Sequence, residues 1–256
     1  MRPLNLSFAV LAAAAIVVLA FAIIFTCSVL PSASLAPPVI PPTFLTPPGD
    51  NSGVKYVSET SLPGPQYYTG IDFDTLKSND HLTVLPLKSY RQQVTNYSCG
   101  AVSAMTVMSW YGKPVNNSDA DEEQVARDMY PNVSEKTGIN PEQIVAWFKR
   151  QGMNASWSTG GSREMLRENL KNGIPTMVEW MDWGGHWVVV VGYDTRGTEN
   201  VWDDVILFAD SVDCHDDRVD GITYFNYGEF DAHYFPASMK DRVYVVAVPG
   251  NAPLPS

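Results

Sequence analysis

The chain has 256 residues, a net charge of −11 and an isoelectric point near 4.7. That charge argues against a partner with a phosphate backbone, so nucleic acid is set aside. Hydrophobic residues at 45% and aromatics at 11% supply the apolar surface a core needs, which excludes a disordered chain.

Three segments are expected in order: 1–30 as an anchor or signal segment, 31–66 as a linker and 67–256 as the folded domain. Phe8 to Phe25 is a run of eighteen apolar residues, about the minimum for a helix that spans a bilayer. Arg2 before it, with no basic residue on the far flank, favours a cytoplasmic N-terminus. The alternative is a cleaved signal peptide, because Ser34-Leu35-Ala36 offers a small-x-small cleavage pattern. The expectation is a single-pass cell-membrane protein with its folded domain outside, or a secreted one. Nine of the nineteen prolines fall between Pro31 and Pro65, so the linker reads as a stiff, extended stalk. Sequons at Asn96, Asn116, Asn132 and Asn154 are compatible with an exported surface.

The folded part is organised around Gln93 to Gly112. After Cys99-Gly100, the residues Ala101, Val102, Ala104, Met105, Val107 and Met108 fall at helical spacings, and Tyr111-Gly112 ends the run. Cys99 would sit at a helix N-terminus, where backbone N–H groups and the helix dipole stabilise a thiolate. Gly100 leaves the neighbouring backbone uncrowded, and Gln93, six residues upstream, places an amide donor near the sulfur. Two other readings stay open: an inert core cysteine, or a disulfide between Cys99 and Cys214, the only cysteines beyond the anchor region.

Leu82 to Leu87 reads as a strand or extended lead-in. Helices are expected from Ser118 to about Met129, from Pro141 to Gly152 and from Ser162 to Asn172. Strands follow at Thr176–Trp180, His186–Val191, Val205–Ala209 and Val243–Val248. Helices first and strands second give an α+β class. His186 opens the most apolar strand directly after Gly184-Gly185, and Asp210 ends the next. Each is ordinary alone, a structural histidine and a turn aspartate. In the order Gln93, Cys99, His186, Asp210 they supply a donor, a nucleophile, a base and an orienting carboxylate.

These pieces, with Gly173-x-Pro175 before a strand and Gly185-His186-Trp187 through Gly192-Tyr193, resemble the bacteriocin-processing (double-glycine) cysteine peptidases and their stand-alone relatives. The resemblance covers roughly Leu85 to Val248. It implies a papain-like cysteine peptidase fold, N-terminal helices packed on a C-terminal antiparallel sheet. It also implies peptide-bond hydrolysis through a Cys-His-Asp triad and an acyl-thioester. Cys99 would be the nucleophile, His186 the base and then acid, and Asp210 the residue that orients the imidazole. Gln93, with the Cys99 N–H, would form the oxyanion hole. The implied partner is a peptide or protein substrate; no cofactor or metal is called for.

Two departures bear on the substrate. Ser211 stands where the family often has proline, and an acidic stretch runs from Asp213 to Asp220. That stretch reads as a solvated loop. Gly185 and Trp183 are expected to contact substrate, with Trp180 and Trp187 as further candidates for a cleft wall. The competing reading is a catalytically inactive papain-like surface binding module stapled by Cys99–Cys214.

Overall fold

The computed structural model describes residues 72–181, 184–214, 218–236 and 240–255. The expected anchor, the linker and Trp183 lie outside the described residues. Among those described, no helix is long and apolar enough to cross a membrane.

The chain enters through β1 (Leu82–Val84), then forms α1 (Cys99–Trp110), α2 (Asp119–Met129) and α3 (Pro141–Arg150). β2 (Met153–Ser158), α4 (Arg163–Lys171), β3 (Thr176–Trp180) and β4 (His186–Asp194) follow. β5 (Val205–Ala209), β6 (Ile222–Asn226) and β7 (Tyr244–Pro249) complete a seven-stranded sheet of order β2-β7-β3-β4-β5-β6, with β1 also on β4. Every pairing is antiparallel. The helix-first, sheet-second order expected of a papain-like domain is therefore what the chain builds. β2 and β6 were not expected; both are short runs.

Local chemistry starts the helices. Ser118 accepts from the Asp121 N–H while Asp121 reaches back to the Ser118 N–H, closing a capping box at α2. Pro141 opens α3, where its missing N–H costs nothing. α1 is different: every residue from Cys99 to Met108 is buried. A helix apolar on all sides belongs inside, and α1 packs between β4 on one side and α2 and α3 on others.

The sheet's interior is aromatic around Trp180. Its ring lies 5.5 Å from Phe208, 5.3 Å from Phe225 and 5.5 Å from Tyr234, centroid to centroid. Phe225 comes from β6, and Tyr234 from a π-helical turn, Phe230–Tyr234, that follows a single turn at Tyr227–Glu229. Trp187 is also buried, its indole N–H donating to the Ile139 carbonyl at 2.9 Å. Both tryptophans are core residues; burying such rings contributes about 2–3 kcal/mol each. The expectation that they wall a cleft is corrected.

Candidate active site

Three elements end at one place. Cys99 is the first residue of α1, His186 the first of β4, and Asp210 follows the last residue of β5. The β4–β5 register explains the second pair. Val189 faces Ala209, so one further step sets Asp210 across from Val188 and diagonal to His186. The His186 Nε2 lies 2.7 Å from Asp210 Oδ1. Thr223 on β6, which faces Phe208, stands in the same diagonal relation from the other side and donates to Asp210 Oδ2 at 2.9 Å. The Val212 N–H donates to Oδ1 at 2.9 Å. The carboxylate is thus held from three directions.

Besides Asp210, Cys99 is the residue whose thiol acts on the imidazole, raising its pKa. With Nε2 taken by Asp210, Nδ1 is the nitrogen left for sulfur. Two contacts one residue beyond each group seat α1 on β4. A Cβ at Gly100 would lie 3.3 Å from Trp187 Cδ1 and 3.3 Å from Ile139 Cβ, so glycine permits the close approach. Ser103 Oγ then donates to the Trp187 carbonyl at 2.8 Å.

Burial of His186 alone would lower its pKa. Hydrogen bonds and charge from Asp210 and Cys99 outweigh that, raising it from 6.5 to about 10. Burial of Asp210 works upward, but the His186 contact, the Val212 amide and the Thr223 hydroxyl hold the carboxyl below its ordinary value. An imidazolium between a carboxylate and a sulfur is the favoured arrangement. Such a ring already holds the proton of the thiol and can pass it to a leaving group.

Gln93 is tied to Ser211, the residue after Asp210, and to Thr95 in its own loop. Its N–H donates to the Ser211 carbonyl at 3.0 Å, and its Nε2 donates to the Thr95 carbonyl at 2.7 Å. Beneath the 91–98 loop lies Glu122, fully buried on α2. Its Oε1 accepts from the Val94 N–H at 2.8 Å and from Ser98 Oγ at 2.5 Å. Arg91 Nε stands 2.7 Å from Oε2, an ion-pair contact. Ser98 therefore spends its hydroxyl on Glu122 and makes no side-chain cap of α1. The Cys99, Gly100 and Ala101 N–H groups have no intrahelical partner, as at any helix start.

Gly185 has φ near 120°, and a Cβ there would meet Glu179 Oε1 at 2.9 Å. Only glycine fits that turn into His186. Asp213 also departs from expectation: it is buried at positive φ, with Oδ2 accepting from the Asp220 and Gly221 N–H groups, so this part of the acidic stretch is a built turn. Behind Asp210 and Ser211 a cavity of about 260 Å³ is lined by Arg91, Gln92, Asp213 and Asp220 among others. Neither Cys99 nor His186 lines it, so it is not where a scissile bond would lie. Cys99 is buried and Cys214 exposed, and no disulfide joins them. The Cys99–Cys214 staple is corrected: one sulfur is committed to the His186 side of α1 and the other lies on the loop after β5.

Residues 84–234, more than half of the chain, match the Peptidase_C39 like family. The chain belongs to that family. No curated protein matches it. Among solved structures it is similar to a double glycine motif protease from an AMS/PCAT transporter, determined in complex with the leader peptide. That match has 21% identity, covers 64% of this chain and 91% of the other, and has a TM-score of 0.41. The peptidase domain of Streptococcus ComA, a bi-functional ABC transporter of a quorum-sensing pathway, matches at 18% identity. It covers 62% of this chain and 96% of the other, with a TM-score of 0.43. A putative C39-like peptidase from Bacillus anthracis matches at 14% identity over 66% of this chain and 98% of the other, with a TM-score of 0.49.

Glu122, Ser211 and Thr223 belong to the site's surroundings and were not anticipated. Thr223 carried a signal, since the run Ile222-Thr223-Tyr224-Phe225 after Gly221 is strand-like. Glu122, in the charged run Asp119-Ala120-Asp121-Glu122-Glu123, carried none.

Proposed function

We propose that this chain is a cysteine peptidase, exported and tethered to the membrane by its N-terminal segment. The observation that carries the activity is the buried His186–Asp210 hydrogen bond at two strand ends, with Cys99 at a helix start acting on the same imidazole. Cys99 attacks the scissile carbonyl carbon as a thiolate while the imidazolium waits beside it. The carbonyl oxygen takes the negative charge and is met by the Cys99 N–H and by Gln93, whose Nε2 carries a second proton beyond the one given to Thr95. His186 then protonates the leaving amine, the C–N bond breaks, and an acyl-thioester remains. Water, deprotonated by His186, hydrolyses it. Asp210 keeps the ring's Nε2–H side fixed throughout. With no disulfide between Cys99 and Cys214, the binding-module reading lacks its staple.

The experiment is a pH–rate profile for any peptide the protein cleaves, in the parent and in Asp210→Asn. Asparagine keeps an acceptor for His186 but removes the charge that raises its pKa. The imidazolium would then persist to a lower pH, so the high-pH limb, set in the parent by a group near 10, is expected to move downward with partial activity retained. An unmoved limb would remove Asp210 from its role. The tether is expected to keep full-length protein in the membrane fraction through alkaline extraction. A mature N-terminus near Leu35 to Pro37 would show a removed signal instead.

A further inference from the structure

Ser211 makes one contact that the peptidase reading does not use. Its Oγ donates to Gln93 Oε1 at 2.6 Å, and the side chain is buried, next to Asp210 in sequence. The direction of that bond is fixed by its surroundings. The other end of the Gln93 amide touches the Thr95 carbonyl oxygen at 2.7 Å, and a carbonyl can only accept. That end is therefore Nε2, the Ser211 end is Oε1, and the serine must be the donor. Flipping the amide would set Oε1 against the Thr95 oxygen and an NH₂ against Ser211, losing the first bond outright.

From this network we infer that Ser211 is a positioning residue for the oxyanion, acting through Gln93; the inference rests on the peptidase reading above. Three consequences follow from the geometry. The amide is clamped at both ends, so its second Nε2 proton has one direction to point. Donation into Oε1 polarises the amide and strengthens Nε2–H as a donor. Ser211, which orients the Gln93 amide, and Asp210, which steadies the imidazole, are also neighbours on one short segment, 210–211, so the oxyanion donor and the base are both positioned from the same strand end. The backbone bond from the Gln93 N–H to the Ser211 carbonyl, 3.0 Å, survives removal of the hydroxyl, so Ser211→Ala keeps the loop in place.

Two reagents separate a role at the oxyanion from a role at the thiol. p-Nitrophenyl acetate acylates sulfur by carbonyl addition: an oxyanion forms, the ester C–O bond breaks, p-nitrophenolate leaves and an acetyl-thioester remains for water to hydrolyse. Iodoacetamide alkylates sulfur by displacing iodide and forms no oxyanion. Rates are taken on the full chain as the difference from Cys99→Ala, which subtracts Cys27 and Cys214. Ser211→Ala is expected to slow acylation about tenfold, short of the hundredfold or more for deleting a donor outright, and to leave alkylation within about twofold. In a Gln93→Ala background the Ser211→Ala change is expected to cost nothing further. Ser211→Ala with unchanged acylation, equal slowing of both reactions, or a double variant whose losses multiply would each overturn the positioning role. A parent whose Cys99 takes neither reagent would instead overturn the nucleophile itself, and this inference with it.

Discussion

His186→Ala is expected to reduce peptide turnover by at least about a thousandfold, since members of a nucleophile–base pair act as a unit and removing either costs most of their joint effect. The size follows from the site's geometry. His186 is buried, 3% exposed, so water cannot readily stand in as a base. Asp210, with one oxygen given to Thr223, cannot reach across the missing ring to the sulfur. Cys99→Ala is expected to match this loss, and the double variant to lose no more than either single one. Turnover measured on one peptide across the three variants checks it; a His186→Ala protein within tenfold of the parent would refute a base at that position.

The second large effect is on folding. Glu122→Ala is expected to destabilise the domain by about 2–3 kcal/mol, a sizeable share of a typical domain's stability. Removing the carboxylate takes the acceptor from the Val94 N–H, leaves the Ser98 hydroxyl only its longer 3.2 Å contact to the Thr95 carbonyl, and leaves the Arg91 guanidinium to Asp119 alone among the described carboxylates. A donor left without its acceptor and a weakened ion pair both cost stability. Glu122→Gln keeps the acceptor for Val94 and Ser98 but turns an NH₂ to Arg91, so an intermediate loss is expected. Urea unfolding midpoints check the ranking. Glu123→Ala, on the exposed side of the same helix and paired with Arg127, is the control. A Glu122→Ala midpoint equal to that of the control would show that the 91–98 loop is not held from below.

The residues proposed for the chemistry were legible because each sits where the sequence changes texture. Cys99 stands between a polar loop and an apolar run, His186 between two glycines and a β-branched run, and Asp210 at the end of an apolar strand. Such boundaries are local, and local patterns are what a sequence displays. The supports were not legible, because they depend on which segments meet. Glu122 lies in a run of acids that reads as a solvated helix face, and nothing nearby announces that Arg91 and Val94 will fold over it. Trp180 and Trp187 flank His186 in sequence and so invite a cleft; the rings that bury Trp180 come from Phe225, Phe230 and Tyr234, well downstream. That no disulfide joins Cys99 and Cys214 is likewise a matter of where two distant segments end up.

The most direct test of an activated Cys99 sets activation against exposure. Cys99 is buried at 8% exposure and Cys214 is exposed, so accessibility alone predicts that iodoacetamide labels Cys214 first. An imidazolium-paired sulfur at a helix start predicts the reverse. Near neutral pH, labelling followed by peptide mass is expected to reach Cys99 before Cys214, and His186→Ala is expected to reverse that order. Cys214 labelled first in the parent, with Cys99 slow and indifferent to His186→Ala, would contradict the account.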